Sequence, residues 1–182
     1  MQEQGLGKLN ILVAVYGLKT VTENISQLIT DGTPETLSFT VNNKVIGDDG
    51  WLGQRKSLTI IYNYDGGDIQ ITTSKEGDLV NINPDKLRTP RLSVPDSSEY
   101  GKLSILAASY GPDDVTYKVK NLVSSYNTLS FVVDNTLFGD TWYGVAKTLV
   151  IVLGVEDEIK AVEIFTEREP CYIDLNDLVP AI

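Results

Sequence analysis

A ten-residue stretch near the start of the chain returns in closely similar form 94 residues later: Lys8-Leu9-Asn10-Ile11-Leu12-Val13-Ala14-Val15-Tyr16-Gly17 comes back as Lys102-Leu103-Ser104-Ile105-Leu106-Ala107-Ala108-Ser109-Tyr110-Gly111. The correspondence then continues, always in the same order, through Val21-Thr22 with Val115-Thr116, Leu37-Ser38-Phe39 with Leu129-Ser130-Phe131, Asn43 with Asn135, and Gly47-Asp48 with Gly139-Asp140. Trp51 with Trp142, Gly53 with Gly144, Lys56 with Lys147, Leu58 with Leu149, Ile60 with Ile151 and Glu76 with Glu167 extend it. The offset falls from 94 to 92 to 91, which places length differences near Thr33 and Gly50, where turns are expected. An ordered ladder of this kind is the signature of a tandem repeat. The 182 residues are then divided between two small domains, each obliged to build its own core.

Periodicity indicates what those domains are made of. Leu9, Ile11, Val13 and Val15 alternate with Leu12, Ala14 and Tyr16, so both faces of the first strand are apolar and both are expected to be covered. Leu37, Phe39 and Val41, with Leu129, Phe131 and Val133, give another strand; residues 57–64 and 148–155 give a further one. Tyr64-Asp65-Gly66-Gly67-Asp68 reads as a hairpin connection, and Leu79 to Ile82 closes the copy. Val115, Tyr117 and Val119 alternate with Thr116, Lys118 and Lys120, which predicts a strand followed by one helical turn, although Val115, Val119, Leu122 and Val123 also fit a helical face. The fold class expected is all-β, as two tandem homologous small β-sandwich or partly open barrel domains. Copy one occupies 1–83, a connector containing Pro84, Pro90 and Pro95 occupies 84–101, and copy two occupies 102–182.

Composition narrows the function. With no histidine, the chain cannot hold a Ser-His-Asp or Cys-His site or an imidazole metal ligand, and its one cysteine, Cys171, reads as a small buried hydrophobe. A formal charge of -10 argues against nucleic acid as a partner. Most of it belongs to the second half, which carries -8 over 92–182 against -2 over 1–91. No apolar run is long enough for a membrane span. The stretch after Met1 lacks a basic region ahead of its apolar residues, so the default location is cytoplasmic, with unconventional export left open.

The residues most suggestive of chemistry lie in the loop after the Phe39 and Phe131 strands, where Asn, Asp, Trp and Lys recur together: Asn43, Asp48, Trp51 and Lys56 in copy one, and Asn135, Asp140, Trp142, Tyr143 and Lys147 in copy two. A ligand-binding reading has an exposed Trp face stacking on a sugar ring or a partner's apolar patch, with Asn and Asp hydrogen-bonding beside it. The alternative is that Trp caps the end of the barrel, Gly47 and Gly53 supply turn geometry, and Asp48 bonds loop amides. Calcium at Asp48, Asp49 and Asp140 is disfavoured because neither loop has alternating ligands and a distal Glu. Paired acids for glycoside hydrolysis, Asp48 with Glu76 or Asp140 with Glu167, are disfavoured because solvated surface acids are far commoner. No cofactor and no enzymatic activity are expected.

Tyr16-Gly17, Val21-Thr22 and Lys56-Ser57-Leu58, matched by Tyr110-Gly111, Asp114-Val115-Thr116 and Lys147-Thr148-Leu149, form a pattern that resembles the C-terminal β domain of mitochondrial DnaJ subfamily-C-member-11-type co-chaperones. The resemblance covers most of each copy. It implies a β-domain scaffold or recognition role; Hsp70 stimulation does not carry across, because a J domain's His-Pro-Asp motif needs a histidine. Two functions compete. One is a tandem recognition module, lectin-like or protein-binding, whose two copies give avidity for a carbohydrate or protein ligand. The other is a structural subunit that assembles head-to-tail as a homo-oligomer or filament.

Overall fold

The computed structural model describes residues 7–84, 103–155 and 158–176. They belong to two compact units, Met1–Asp96 and Ser97–Ile182. Apart from Pro84, the connector expected at 84–101 lies outside the described residues. The first unit runs β1 (Leu9–Tyr16), β2 (Lys19–Thr20), α1 (Thr22–Ser26), β3 (Ile29–Thr30), β4 (Thr36–Thr40), α2 (Asn43–Ile46), β5 (Ser57–Tyr64), β6 (Gln70–Lys75) and β7 (Leu79–Ile82). The second runs β8 (Leu103–Tyr110), β9 (Asp113–Asp114), α3 (Thr116–Asn121), β10 (Thr128–Val132), α4 (Asn135–Phe138), β11 (Thr148–Val155), β12 (Glu158–Thr166) and β13 (Pro170–Asp174). The order of elements is the same in both, except that β3 has no counterpart among the described residues of the second.

Antiparallel pairing gives each unit a four-stranded sheet, β2-β1-β5-β6 or β12-β11-β8-β9, and a smaller one, β3-β4-β7 or β10-β13. The architecture is all-β and sandwich-like, without a closed barrel. Alternation explains the small sheets: Leu37 and Phe39 point inward opposite Ile82 and Val80, while Ser38 and Thr40 point out. They share one core with Leu58 and Ile60 of the large sheet. In the second unit Leu129, Phe131, Cys171 and Ile173 meet Leu149, Ile151 and Leu153 in the same way. No helix among the described residues is long and apolar enough to cross a membrane.

Strict alternation mispredicts the faces of the first strand. The β1–β5 register shifts between Ile11 and Val13, so Leu12 is bulged and the parity reverses there. Leu9 and Ile11 consequently share the unit's core with Ala14 and Tyr16, and Val13 and Val15 go to the opposite face. The register of β8 shifts at the matching place, passing over Leu106, and Leu103, Ile105, Ala108 and Tyr110 share the core. The opposite faces, with Val13, Val15 and Ile61 or Ala107, Val150 and Val152, are buried as well, which agrees with a first strand covered on both sides.

The strand expected at Val115 to Val119 is instead the helix α3. Packing explains the difference: Val115, Val119, Leu122 and Val123 all join the core, whereas Tyr117, which a strand would have placed beside them, is exposed. The repeated Val-Thr pair anchors both short helices. Val21 N–H donates to Ala14 O at 2.8 Å while the Ala14 N–H donates to Thr22 Oγ1 at 3.0 Å. Val115 and Thr116 repeat the arrangement on Ala108, at 3.0 and 2.8 Å.

Gly50 lets the loop before β5 lie against the end of β1, because a Cβ there would stand 1.8 Å from Tyr16 O. Gly50→Ala forces two backbones apart. It is expected to lower stability by roughly 1 to 3 kcal/mol, read as a lower urea midpoint; an unchanged midpoint would refute this packing.

Candidate functional site

The loop that carries the repeated polar residues begins with a capped turn. Asn42 Oδ1 accepts from Val45 N–H at 2.9 Å, and Asp134 Oδ1 accepts from Leu137 N–H at 2.9 Å, which starts α2 and α4 in place of the continuous loop expected there. Ile46 and Phe138 bury the far side of each turn, and Gly47 and Gly139 follow with positive φ. The first helical residue is Asn43 or Asn135, and its side chain turns back towards the large sheet. There its Oδ1 accepts from the hydroxyl of Tyr16 or Tyr110, at 2.8 Å in both units.

Both repeated lysines are buried, Lys56 at 3% and Lys147 at 2% exposure, so neither is free to meet a ligand. A buried ammonium requires opposite charge and hydrogen-bond acceptors around it. Lys56 Nζ lies 2.9 Å from Asp49 Oδ1 and 3.7 Å from Glu76 Oε2, donates to Gln54 O at 2.9 Å, and sits 5.3 Å from the Tyr16 ring centroid. Lys147 Nζ lies 2.7 Å from Asp140 Oδ1 and 3.9 Å from Glu167 Oε2, donates to Asn135 Oδ1 at 3.1 Å and to Val145 O at 3.2 Å, and sits 5.7 Å from the Tyr110 centroid. Each glutamate also accepts from its lysine's own N–H, at 3.3 Å in both.

Sequence reasoning paired Asp48 with Asp140, and the geometry pairs Asp49 with it. Asp48 reaches outward to Lys19 at 2.8 Å, and it is Asp49 Oδ1 that accepts from a loop amide, Trp51 N–H, at 3.3 Å. The length difference between the loops therefore falls just after Gly47 rather than at Gly50. The sequence pattern places Tyr16 and Tyr110 at strand ends and gives them no part in the polar group. The interval of 20 residues from lysine to glutamate is the same in both units, where the pair brackets the β5–β6 or β11–β12 hairpin, but nothing in the sequence ties the tyrosines to it.

The ligand-binding reading needs exposed tryptophan faces, whereas Trp142 is buried and Trp51 is half-buried. The residues that follow them take the exposed position: Leu52 is 86% and Tyr143 is 91% exposed. In the second unit the loop borders an open depression of about 520 Å³, lined by Asn135, Asp140, Tyr143, Lys147, Glu167 and Arg168 among others. Burial, reinforced by Glu76 and Asp49, raises the Tyr16 phenol well above its ordinary value, and burial with Glu167, Asp140 and Asp134 does the same for Tyr110. Both hydroxyls are thus held as donors.

The Lys56 hydrogen bond holds Asp49 below the ordinary carboxylate range, with help from the Trp51 amide. Stability from a depressed carboxylate is complete above its unfolded value and disappears as pH falls through its folded one. Asp49→Asn is expected to lower the urea midpoint at neutral pH, with the gap from wild type closing as pH drops below about 4. A gap constant over the acid range would mean that Asp49 acts by shape alone. The buried tyrosines act with the opposite sign: their contribution is complete below about pH 10 and is lost above it as the unfolded chain ionises first.

No family model, no curated protein and no solved structure matches the chain.

Proposed function

We propose that the chain is a non-enzymatic recognition module that binds protein segments through two related loop tips, and that its two units arose by duplication of one. The observation that carries this reading is the pairing of a pinned base with an exposed apolar tip. Lys56 or Lys147 fixes the loop from beneath, while Leu52 or Tyr143, directly after the tryptophan, stands almost fully in solvent. Preordering of this kind reduces the entropy that an apolar anchor loses on binding. Leucine cannot stack on a sugar ring as an aromatic can, so protein is favoured over carbohydrate as the ligand shared by both tips. The shared element order and matching Tyr–Asn hydrogen bonds support duplication. The resemblance to the co-chaperone β domain is in keeping with a recognition role and supplies no ligand.

A structural-subunit reading draws on a different surface. The outward face of the small sheet carries Leu79 in the first unit and Val132 and Tyr172 in the second, all exposed. Apolar residues on a solvent-facing sheet favour association between copies. Assembly held by such contacts strengthens with salt, whereas one held by opposite charges weakens.

Peptides selected from a displayed random library on the wild-type chain are expected to lose about tenfold in affinity to Leu52→Ser or Tyr143→Ser, because exposed anchors of this size commonly contribute about 1 to 3 kcal/mol. Circular dichroism of the variants should be unchanged. Retained affinity in both variants, or binding confined to a glycan array, would refute the tip assignment. Light scattering decides the second reading: a particle mass fixed at 20.0 kDa across concentration and salt would remove it.

A further inference from the structure

The surroundings of Lys147 differ from those of Lys56 in one respect that bears on covalent chemistry. Lys147 Nζ donates to the side-chain oxygen of Asn135 at 3.1 Å, and the nitrogen of the same amide donates to Glu167 Oε1 at 3.1 Å. The other oxygen of Glu167 lies 3.9 Å from Lys147 Nζ. One carboxylate thus spans an amine and the amide nitrogen that would depart if that amine attacked the carbonyl. The hydroxyl of Tyr110 donates to the same Asn135 Oδ1 at 2.8 Å, on the atom where negative charge would develop. The amide carbon is about 1.2 Å from that oxygen, so it too lies close to Nζ. Asp140 Oδ1, at 2.7 Å, is placed to take a proton from the ammonium.

We propose that Lys147 and Asn135 react with each other to form an intramolecular amide cross-link, with Glu167 as the proton carrier and Tyr110 as the oxyanion donor. The ammonium of Lys147 first gives one proton to Asp140. The free amine then adds to Asn135 Cγ, forming the N–C bond and a tetrahedral centre whose oxygen is stabilised by the Tyr110 hydroxyl. A second proton passes from Nζ through Glu167 to the amide nitrogen, the C–N bond to that nitrogen breaks, and ammonia leaves. Ammonia takes up the proton parked on Asp140 and departs as ammonium. The overall change is lysine ammonium plus asparagine amide to secondary amide plus ammonium, with no oxidant, metal or cofactor consumed.

Burial suits this reaction, because proximity within a fixed frame replaces an encounter in solution and the lysine has almost no exposure to competing water. The link would close the loop from α4 to the start of β11 on itself, giving the Tyr143 tip a covalent base. The inference is independent of whether that tip binds protein. The first unit is an internal comparison: Lys56 Nζ donates to the Gln54 carbonyl and pairs with Asp49, while Asn43 Oδ1 accepts from Tyr16. Among the described residues, it is the second unit that brings amine, amide carbonyl and bridging carboxylate together.

The test is mass spectrometry of the intact wild-type chain followed by trypsin digestion. A linked chain is lighter by one ammonia, resists cleavage after Lys147, and yields a fragment covering residues 121–160 in which fragmentation assigns the loss to Asn135 and Lys147. Tyr110→Phe, chosen for its matching shape, should leave a measurable unlinked fraction in a chain whose circular dichroism is unchanged, and Asn135→Ala should be cleaved after Lys147 completely. Full mass with complete cleavage after Lys147 in the wild type overturns the proposal. So does an ammonia loss located elsewhere, for example at Gln2, or loss of water joining Lys147 to Asp140.

Discussion

A lysine buried at the foot of the central strand sets the terms for each unit. Lys56 and Lys147 directly precede β5 and β11, and an ammonium in that position must be met from several directions at once. The last residue of β1 or β8 supplies a tyrosine ring, the loop after α2 or α4 supplies an aspartate and a carbonyl, and the residue after β6 or β12 supplies a glutamate. Three stretches of chain are thereby held at one point: the end of the first strand, the loop that runs into the lysine, and the glutamate beyond the hairpin. Hydrophobic packing alone would tolerate some slippage between the sheet and the loop, whereas charges taken out of water tolerate little.

Much of the fold was legible because the strands bury one face and the alternation is clean, as in Leu37-Ser38-Phe39 and Leu129-Ser130-Phe131. What escaped the reading escaped for physical reasons. A bulge at Leu12 changes no residue type, so nothing in the pattern announces that the parity reverses there. The stretch from Val115 to Val123 satisfied both periods, and the choice was made by the core, which accepts Val115, Val119 and Leu122 on a helix and leaves Tyr117 outside. The loop residues stand out as a group and read as a ligand-facing set, because lysine and aspartate are ordinarily at the surface. Only three-dimensional closure shows Asp49, rather than Asp48, to be the partner of the lysine.

The two units share the base of this loop and differ in its upper surface. The lysine, the tyrosine, the asparagine and the glutamate occupy corresponding positions in both, yet Leu52 stands where the other unit has Tyr143, and the segment that forms β3 has no strand counterpart among the described residues. Contacts that determine whether the fold closes resist change, whereas a side chain in solvent is free to follow a partner.

Cys171 gives this arrangement an experimental handle. It is the chain's one thiol, it lies buried on β13 against Phe131 of β10, and burial pushes it up to about 12. A closed second unit thus presents neither an accessible sulfur nor a thiolate to an alkylating reagent near neutral pH. The first unit has no cysteine to contribute signal. The rate at which a maleimide consumes the thiol consequently measures how often the second unit opens, residue-specifically and without any added probe, and so turns an inert core side chain into a clock for one half of the molecule.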